Sequence, residues 1–343
     1  MEQFKTEIDN TISLTGREVA AVELGCSPLE VKVAGVMGGY SLNRRALVGH
    51  GDKWIFAKEV DHGVLIGDGE RELEWLRKDF ECTDVLRKIV PEIVPEWEKL
   101  TADGHVLLMP SYRVEDGWLW TLPTDATVQR LYIQAVVDAT KKLEAVKFGQ
   151  DDIDRLKLHP YFRDKLALDG GLDLIIKNDE IRNQLKNKYT AMAQDKSLVN
   201  LYPEINKMLE LLNDKLALKD LSDKAMLLIN QPNDCFGHCD VRSDNLAYNP
   251  LTGQIKFVDW NWSSFATTRF GATEFLTDMS RRGVDVTPWI DELNVDMLAA
   301  AVGFYAKRCL EDPLAPGNML RDVQAQSAAV VLNLYEIAVN LRV

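Results

Sequence analysis

The spacing of apolar and polar positions changes character about a third of the way along the chain. Over the first hundred residues it favours mostly strands and turns. VKVAGVMGGYSLN, residues 31–43, is a short apolar run, a turn holding Gly35, Gly38 and Gly39, and a return. RRALVG (44–49) and WIFAKEV (54–60) flank HGDK, which has the composition of a tight hairpin. In GDGERELEWLRKDF (67–80) the period lengthens, with Leu73, Leu76 and Phe80 three and four apart, so a helix is expected there with Asp68 as its cap. Pro91 and Pro95 mark loops; HVLLMPSYR (105–113) then reads as a strand and GWLWTLP (117–123) as one more short strand.

Helical periods dominate afterwards. Residues 126–148 set Leu131, Val136, Ala139 and Leu143 near one face, and 179–194, 205–231, 294–311 and 320–341 follow the same rule, the last two separated by EDPLAPGN. DKLAL occurs at 164–168 and again at 214–218, too short and too common a string to count as a repeat. The pattern therefore gives an α+β chain: a smaller strand-rich part over 1–108 and a larger helical part over 109–343, joined by a connector near 108–116. Such a junction makes a cleft.

Composition narrows the partners. The 343 residues carry a net charge of -13 and are 46% hydrophobic, a balance that disfavours the concentrated basic face a nucleic acid needs. The first ten residues hold acids and no apolar core of a signal peptide, and no apolar run approaches eighteen residues. A cytoplasmic protein without a membrane partner is expected. Five scattered cysteines argue against a disulfide framework. Cys235, His238 and Cys239 lie close in sequence, but without a fourth ligand buried thiols are favoured over zinc. Trp118 and Trp120 receive no catalytic role.

Chemistry concentrates in GHCDVRSDNLAYNPLTGQIKFVDWNW, residues 237–262. Asn245 enters the short strand LAYN, NPLTGQ turns, and IKFVDW returns to deliver Asp259, so two acids nineteen residues apart, Asp240 and Asp259, are brought together. One can accept a hydroxyl proton while the other, with the Asn245 carboxamide, holds magnesium against phosphate oxygens. His238 suits a turn-supporting hydrogen bond better than a hard ion that prefers oxygen. Upstream, Lys58 lies among apolar residues on its strand, and the helix after it offers a carboxylate to fix the long side chain. Glu72 is the first choice, with Glu70 and Glu74 left open.

With these residues in view, GHCDVRSDN followed by FVDWNW resembles the catalytic loop and metal-binding segment of the aminoglycoside phosphotransferase family, relatives of the protein kinases. The resemblance spans roughly residues 30–280. It implies a bilobal protein-kinase-like fold, a strand-rich N-lobe and a larger helical C-lobe, with ATP entering between the lobes. By the same likeness Asp240 is the catalytic aspartate, Asn245 and Asp259 bind Mg2+, and Lys58, supported by Glu72, meets the phosphates of ATP. The segment with Gly35, Gly38 and Gly39 covers those phosphates, and Met109 lines the adenine. The implied function is transfer of the γ-phosphoryl of Mg-ATP to a hydroxyl of a small molecule; a pseudokinase or scaffold without transfer is the alternative. The chain departs from the family at Cys239, where glycine is common, and at Ser243 and Asp244, which replace a frequent proline and glycine. Glu274 stands where an anchor for the catalytic loop is expected. A cationic acceptor would look to Glu274, Asp278 and Asp285.

Overall fold

The computed structural model describes residues 12–36, 43–60, 69–158, 161–168, 170–313 and 318–341. In chain order they form α1 (Leu14–Leu24), β1 (Lys32–Gly35), β2 (Arg44–His50), β3 (Lys53–Glu59), α2 (Gly69–Leu86), β4 (Lys99–Leu100), β5 (Val106–Pro110), α3 (Ala126–Glu144), α4 (Gln150–Leu156), α5 (Tyr161–Leu168), α6 (Leu172–Lys177), α7 (Asp179–Gln194), α8 (Tyr202–Asn213), α9 (Lys215–Met226), β6 (Cys235–Gly237), β7 (Leu246–Asn249), β8 (Gln254–Phe257), β9 (Ser264–Ala266), α10 (Phe270–Arg281), α11 (Val295–Arg308) and α12 (Leu320–Asn340). A strand-rich sheet followed by a larger helical region is the architecture of a bilobal protein-kinase-like fold. Among the described residues no helix is long and apolar enough to cross a membrane.

Packing divides the chain into two compact units. One comprises residues 1–142, 146–158 and 243–263; the other comprises 143–145, 159–242 and 264–343. The first unit is built on a sheet of order β1-β2-β3-β5-β4, whose paired strands are all antiparallel. The β2–β3 hairpin closes on Gly51 and Asp52, and the positive φ of 60° at Gly51 is cheap only for glycine.

Strand alternation explains why both faces of this sheet are apolar. Ala46 and Val48 of β2, Ile55 and Ala57 of β3, and Val106 and Leu108 of β5 join Ala20 and Leu24 of α1 in one core. The intervening Val60, Leu107 and Met109 pack with Leu76 and, at its margin, Phe56, Leu73 and Phe80 in another. Helix α1 was not anticipated from the strand-like spacing. Its signals are short ones: Ser13 caps it by accepting from the Gly16 N–H at 3.2 Å, and Gly25 ends it in the left-handed region. The buried Glu59 accepts the Ser13 N–H at 2.8 Å and also bonds the Ser13 hydroxyl, tying α1 to the end of β3.

Several sequence expectations shift by a turn or a face. The strand expected at 117–123 reduces to a single bridge between Leu119 and Tyr248. In α3 Leu131 is exposed, while Tyr132, Ile133, Val136 and Val137 are buried. The stretch from 205 breaks at Asp214, whose carboxylate caps α9 by accepting from the amides of Leu216 and Ala217. Asp68, the expected cap of α2, lies outside the described residues, as do Gly38 and Gly39. In the second unit α11 packs along α12 and α9, and the β6–β9 pair sets Cys235, Phe236 and Gly237 against Ala266, Phe265 and Ser264.

Candidate active site

A cavity of about 400 Å³ opens within the first unit. Leu47, Phe56, Met109, Val258 and Trp120 supply apolar wall, while Arg45, Lys58, Asp79, Asp244, Asn245 and Asp259 supply charge and hydrogen bonding. Gly35 also lines it. The sheet explains the mixture: Arg45, Leu47, Phe56, Lys58 and Met109 alternate with the residues that pack on α1, so they share the opposite face.

Lys58 is 4% exposed and held by two carboxylates. Its Nζ donates to Asp259 Oδ1 at 2.7 Å and to Asp79 Oδ2 at 3.4 Å. Burial works against the ammonium charge, but Asp259 and Asp79 outweigh it and leave the lysine above its usual pKa. The ion pair expected from Glu72 is thus made by Asp79, and Glu74 instead pairs with Lys157 at 2.9 Å. Glu72 and Asp79 are seven residues apart, about 10.5 Å along one helix face, so the acid that pairs with Lys58 lies two turns further along α2 than the one expected. The fully buried Asp79 also accepts the Trp260 N–H at 2.8 Å, which fixes it over the end of β8. Glu72 is buried too, with Oε2 lacking a hydrogen-bond partner. Burial raises its carboxyl pKa, against the pull of Lys58, Arg71 and Arg45.

The β7–β8 hairpin delivers the next two residues. Leu246 pairs with Phe257, and the Val258 N–H donates to the Asn245 carbonyl at 3.1 Å, so Asn245 and Asp259 flank the open end of the same hairpin. Asp259 adopts the left-handed conformation, φ 68° and ψ 58°, one that aspartate tolerates better than most residues and that turns the chain sharply out of β8. Asn261 donates to Asp259 Oδ1 at 3.0 Å. Carboxylate and carboxamide oxygens at one cavity edge are a hard donor set of the kind magnesium takes, usually completed by water and phosphate oxygens. These residues therefore fit that ion.

Asp240 belongs to the second unit, three residues before the chain passes into the first at Ser243. Arg242 Nη1 donates to Asp240 Oδ1 at 2.8 Å. The preceding Cys239 has φ 59° and is 3% exposed, with Sγ 3.5 Å from the Gly237 carbonyl; the thiol fits the tight turn by pointing inward. Glu274 of α10 accepts the Val241 N–H at 3.3 Å, as an anchor of this loop would. Desolvation, reinforced by the Asp240 charge, holds the Glu274 carboxyl well above the usual range.

The acids considered for a cationic acceptor are engaged within the protein. Asp278 is 5% exposed and pairs with Arg281 at 2.6 Å and Arg282 at 3.1 Å. Asp285 accepts the Thr287 N–H at 2.9 Å, and Glu274 is taken by the catalytic-loop candidate. Sequence reasoning also passed over Asp79 and Arg45.

No family model matches the chain, and no curated protein matches it. Among the solved structures to which the chain is similar are the following three. The GDP complex of wild-type aminoglycoside 2'-phosphotransferase-IIIa is 13% identical over 96% of this chain and 98% of that one, with a TM-score of 0.48. Choline kinase LicA from Streptococcus pneumoniae is 13% identical over 94% and 97%, with a TM-score of 0.45. Plasmodium vivax ethanolamine kinase is 13% identical over 89% and 81%, with a TM-score of 0.47.

Proposed function

We propose that the protein is an ATP-dependent phosphotransferase that moves the γ-phosphoryl of Mg-ATP to a hydroxyl of a small molecule. The observation that carries this reading is one cavity in which Lys58, Asn245 and Asp259 meet beneath an apolar wall that includes Met109. A purine suits the wall formed by Leu47, Phe56, Met109 and Val258, and a polyphosphate suits the charged end. Lys58 binds phosphate oxygens, with Asp79 fixing its side chain. Asn245 and Asp259 hold the magnesium ion, which when bound neutralises charge on the phosphoryl oxygens. Gly35, Gly38 and Gly39 belong to the segment covering the phosphates. Asp240 orients the acceptor hydroxyl and takes its proton as the oxygen attacks phosphorus, with ADP as leaving group.

The test is acceptor-dependent ADP formation by wild type and Asp240→Asn across aminoglycosides, other antibiotics, choline-like amines, sugars and amino alcohols, with product masses checked for one added phosphoryl group. The expected result is a wild-type hit that Asp240→Asn lowers about 100-fold or more while still binding nucleotide. Equal transfer by the two proteins removes Asp240 from its role. Nucleotide binding without transfer to any acceptor supports the pseudokinase alternative, and absence of nucleotide binding rejects both.

A further inference from the structure

Arg45 stands directly opposite Lys58 in the register of β2 and β3. Opposed residues on antiparallel strands project from the same face with their Cβ atoms about 5 Å apart, and like charges in that arrangement repel. The sheet nevertheless sets two cations side by side, and both line the cavity. Part of the compensation is visible. Asp259, Glu72, Asp244 and Asp79 all act on the Arg45 guanidinium, Asp259 most strongly, against the desolvation that lowers its pKa. An arginine stays charged under any such shift.

If Arg45 served only to balance these acids, a position away from Lys58 would do so with less repulsion. Beside Lys58, and with both cations drawn to Asp259, it adds a second positive group next to the one assigned to phosphate. Lysine is a point charge on a flexible stem, whereas guanidinium is a planar fork that matches two oxygens of one phosphate. We propose that Arg45 is a second phosphate-binding residue, gripping the terminal phosphates of a nucleoside di- or triphosphate next to Lys58. This rests on the reading of the cavity as a nucleotide site. Recognition then scales with the number of phosphates on the ligand, because the apolar wall serves every adenine ligand alike.

Calorimetric titration of wild type, Arg45→Met and Arg45→Lys with ATP, ADP, AMP and adenosine, all with magnesium, tests this. Arg45→Met is expected to weaken ATP and ADP about 10- to 100-fold, the scale of lost charge-assisted hydrogen bonds. AMP and adenosine should change by less than about threefold, and Arg45→Lys should recover part of the loss because it restores charge without the fork. Unchanged ATP binding by Arg45→Met overturns the proposal while the nucleotide reading stands. An equal loss for ATP and adenosine also overturns it, since that marks damage to the pocket rather than to phosphate contacts. Failure of wild type to bind ATP sinks the nucleotide reading itself, and this inference with it.

Discussion

Lys58 Nζ lies 2.7 Å from Asp259 Oδ1, joining the proposed phosphate-binding cation to the proposed metal-binding acid across 201 residues of chain. Without ligands each group satisfies the other, so metal and nucleotide compete with this ion pair when either binds alone. Replacing the lysine should therefore move the two affinities in opposite directions. Lys58→Met is expected to tighten Mn2+ binding roughly tenfold in the absence of nucleotide, because Asp259 loses its cation, and to weaken Mg-ATP about 10- to 100-fold. Paramagnetic measurement of free Mn2+, counting only the site lost in Asp259→Ala, checks the first; calorimetry checks the second. Weakening of both would mean that Lys58 supports the fold of the site rather than competing within it.

Asp79, rather than Glu72, carries the structural load on α2. It is fully buried, pairs with Lys58 and accepts the Trp260 N–H. Asp79→Ala leaves that amide and part of the Lys58 charge uncompensated, and is expected to cost about 2–4 kcal/mol. Glu72→Gln keeps the shape of a group whose Oε2 has no hydrogen-bond partner, and should stay within about 1 kcal/mol of wild type. Urea unfolding of the two variants side by side measures the difference. The reverse order would restore Glu72 as the supporting acid.

Glu274 gives a pH dependence with a definite sign. Its folded pKa is raised well above the ordinary value by desolvation and by Asp240. Between the unfolded pKa, about 4.3, and that raised value, the native state holds a proton that the unfolded chain has released. Stability from this group is therefore full below the unfolded pKa and falls as pH rises through the window, by at most about 1.4 kcal/mol per pH unit. Glu274→Gln cannot release a proton, so its stability relative to wild type should climb as pH rises from about 5 towards that raised value. Denaturant midpoints at one-unit intervals show the trend. A flat or falling difference means that the carboxyl is ionised in the folded state.

Much of this site was legible in the order of residues, and the rest was lost for identifiable reasons. The hairpin bringing Asn245 and Asp259 together follows from two short apolar runs around NPLTGQ, because register in a hairpin is set by its turn. Arg45 was legible by the same rule. Counting equally outward from Gly51 and Asp52 sets it across from Lys58. Asp79 was harder: periodicity gives the face of α2, whereas the turn that meets β3 depends on how far the helix slides along the sheet. Helix α1 was missed because Ala20 and Leu24 pack against a two-sided sheet that local spacing does not reveal.

Lys256 connects the hairpin to the rest of the first unit. It is 4% exposed on β8, where a lysine would ordinarily reach for water. Its Nζ instead donates to the Val94 carbonyl at 2.8 Å and the Pro91 carbonyl at 3.2 Å, and pairs with Glu96 Oε1 at 3.0 Å. Glu96 in turn accepts from the Tyr112 hydroxyl at 2.8 Å, and Tyr112 lines the cavity. One side chain thus ties the strand that delivers Asp259 to the loop after α2 and to the connector after β5. Lys256→Met keeps the aliphatic bulk but strands two carbonyls and removes the partner of Glu96, so a loss of about 2–4 kcal/mol is expected. Because Asp259 sits two residues beyond the end of β8, hydrogen exchange at Phe257 and Val258 should quicken and Mg-ATP should bind more weakly. Lost stability with unchanged exchange at those two amides would show that Lys256 supports the unit as a whole without positioning Asp259.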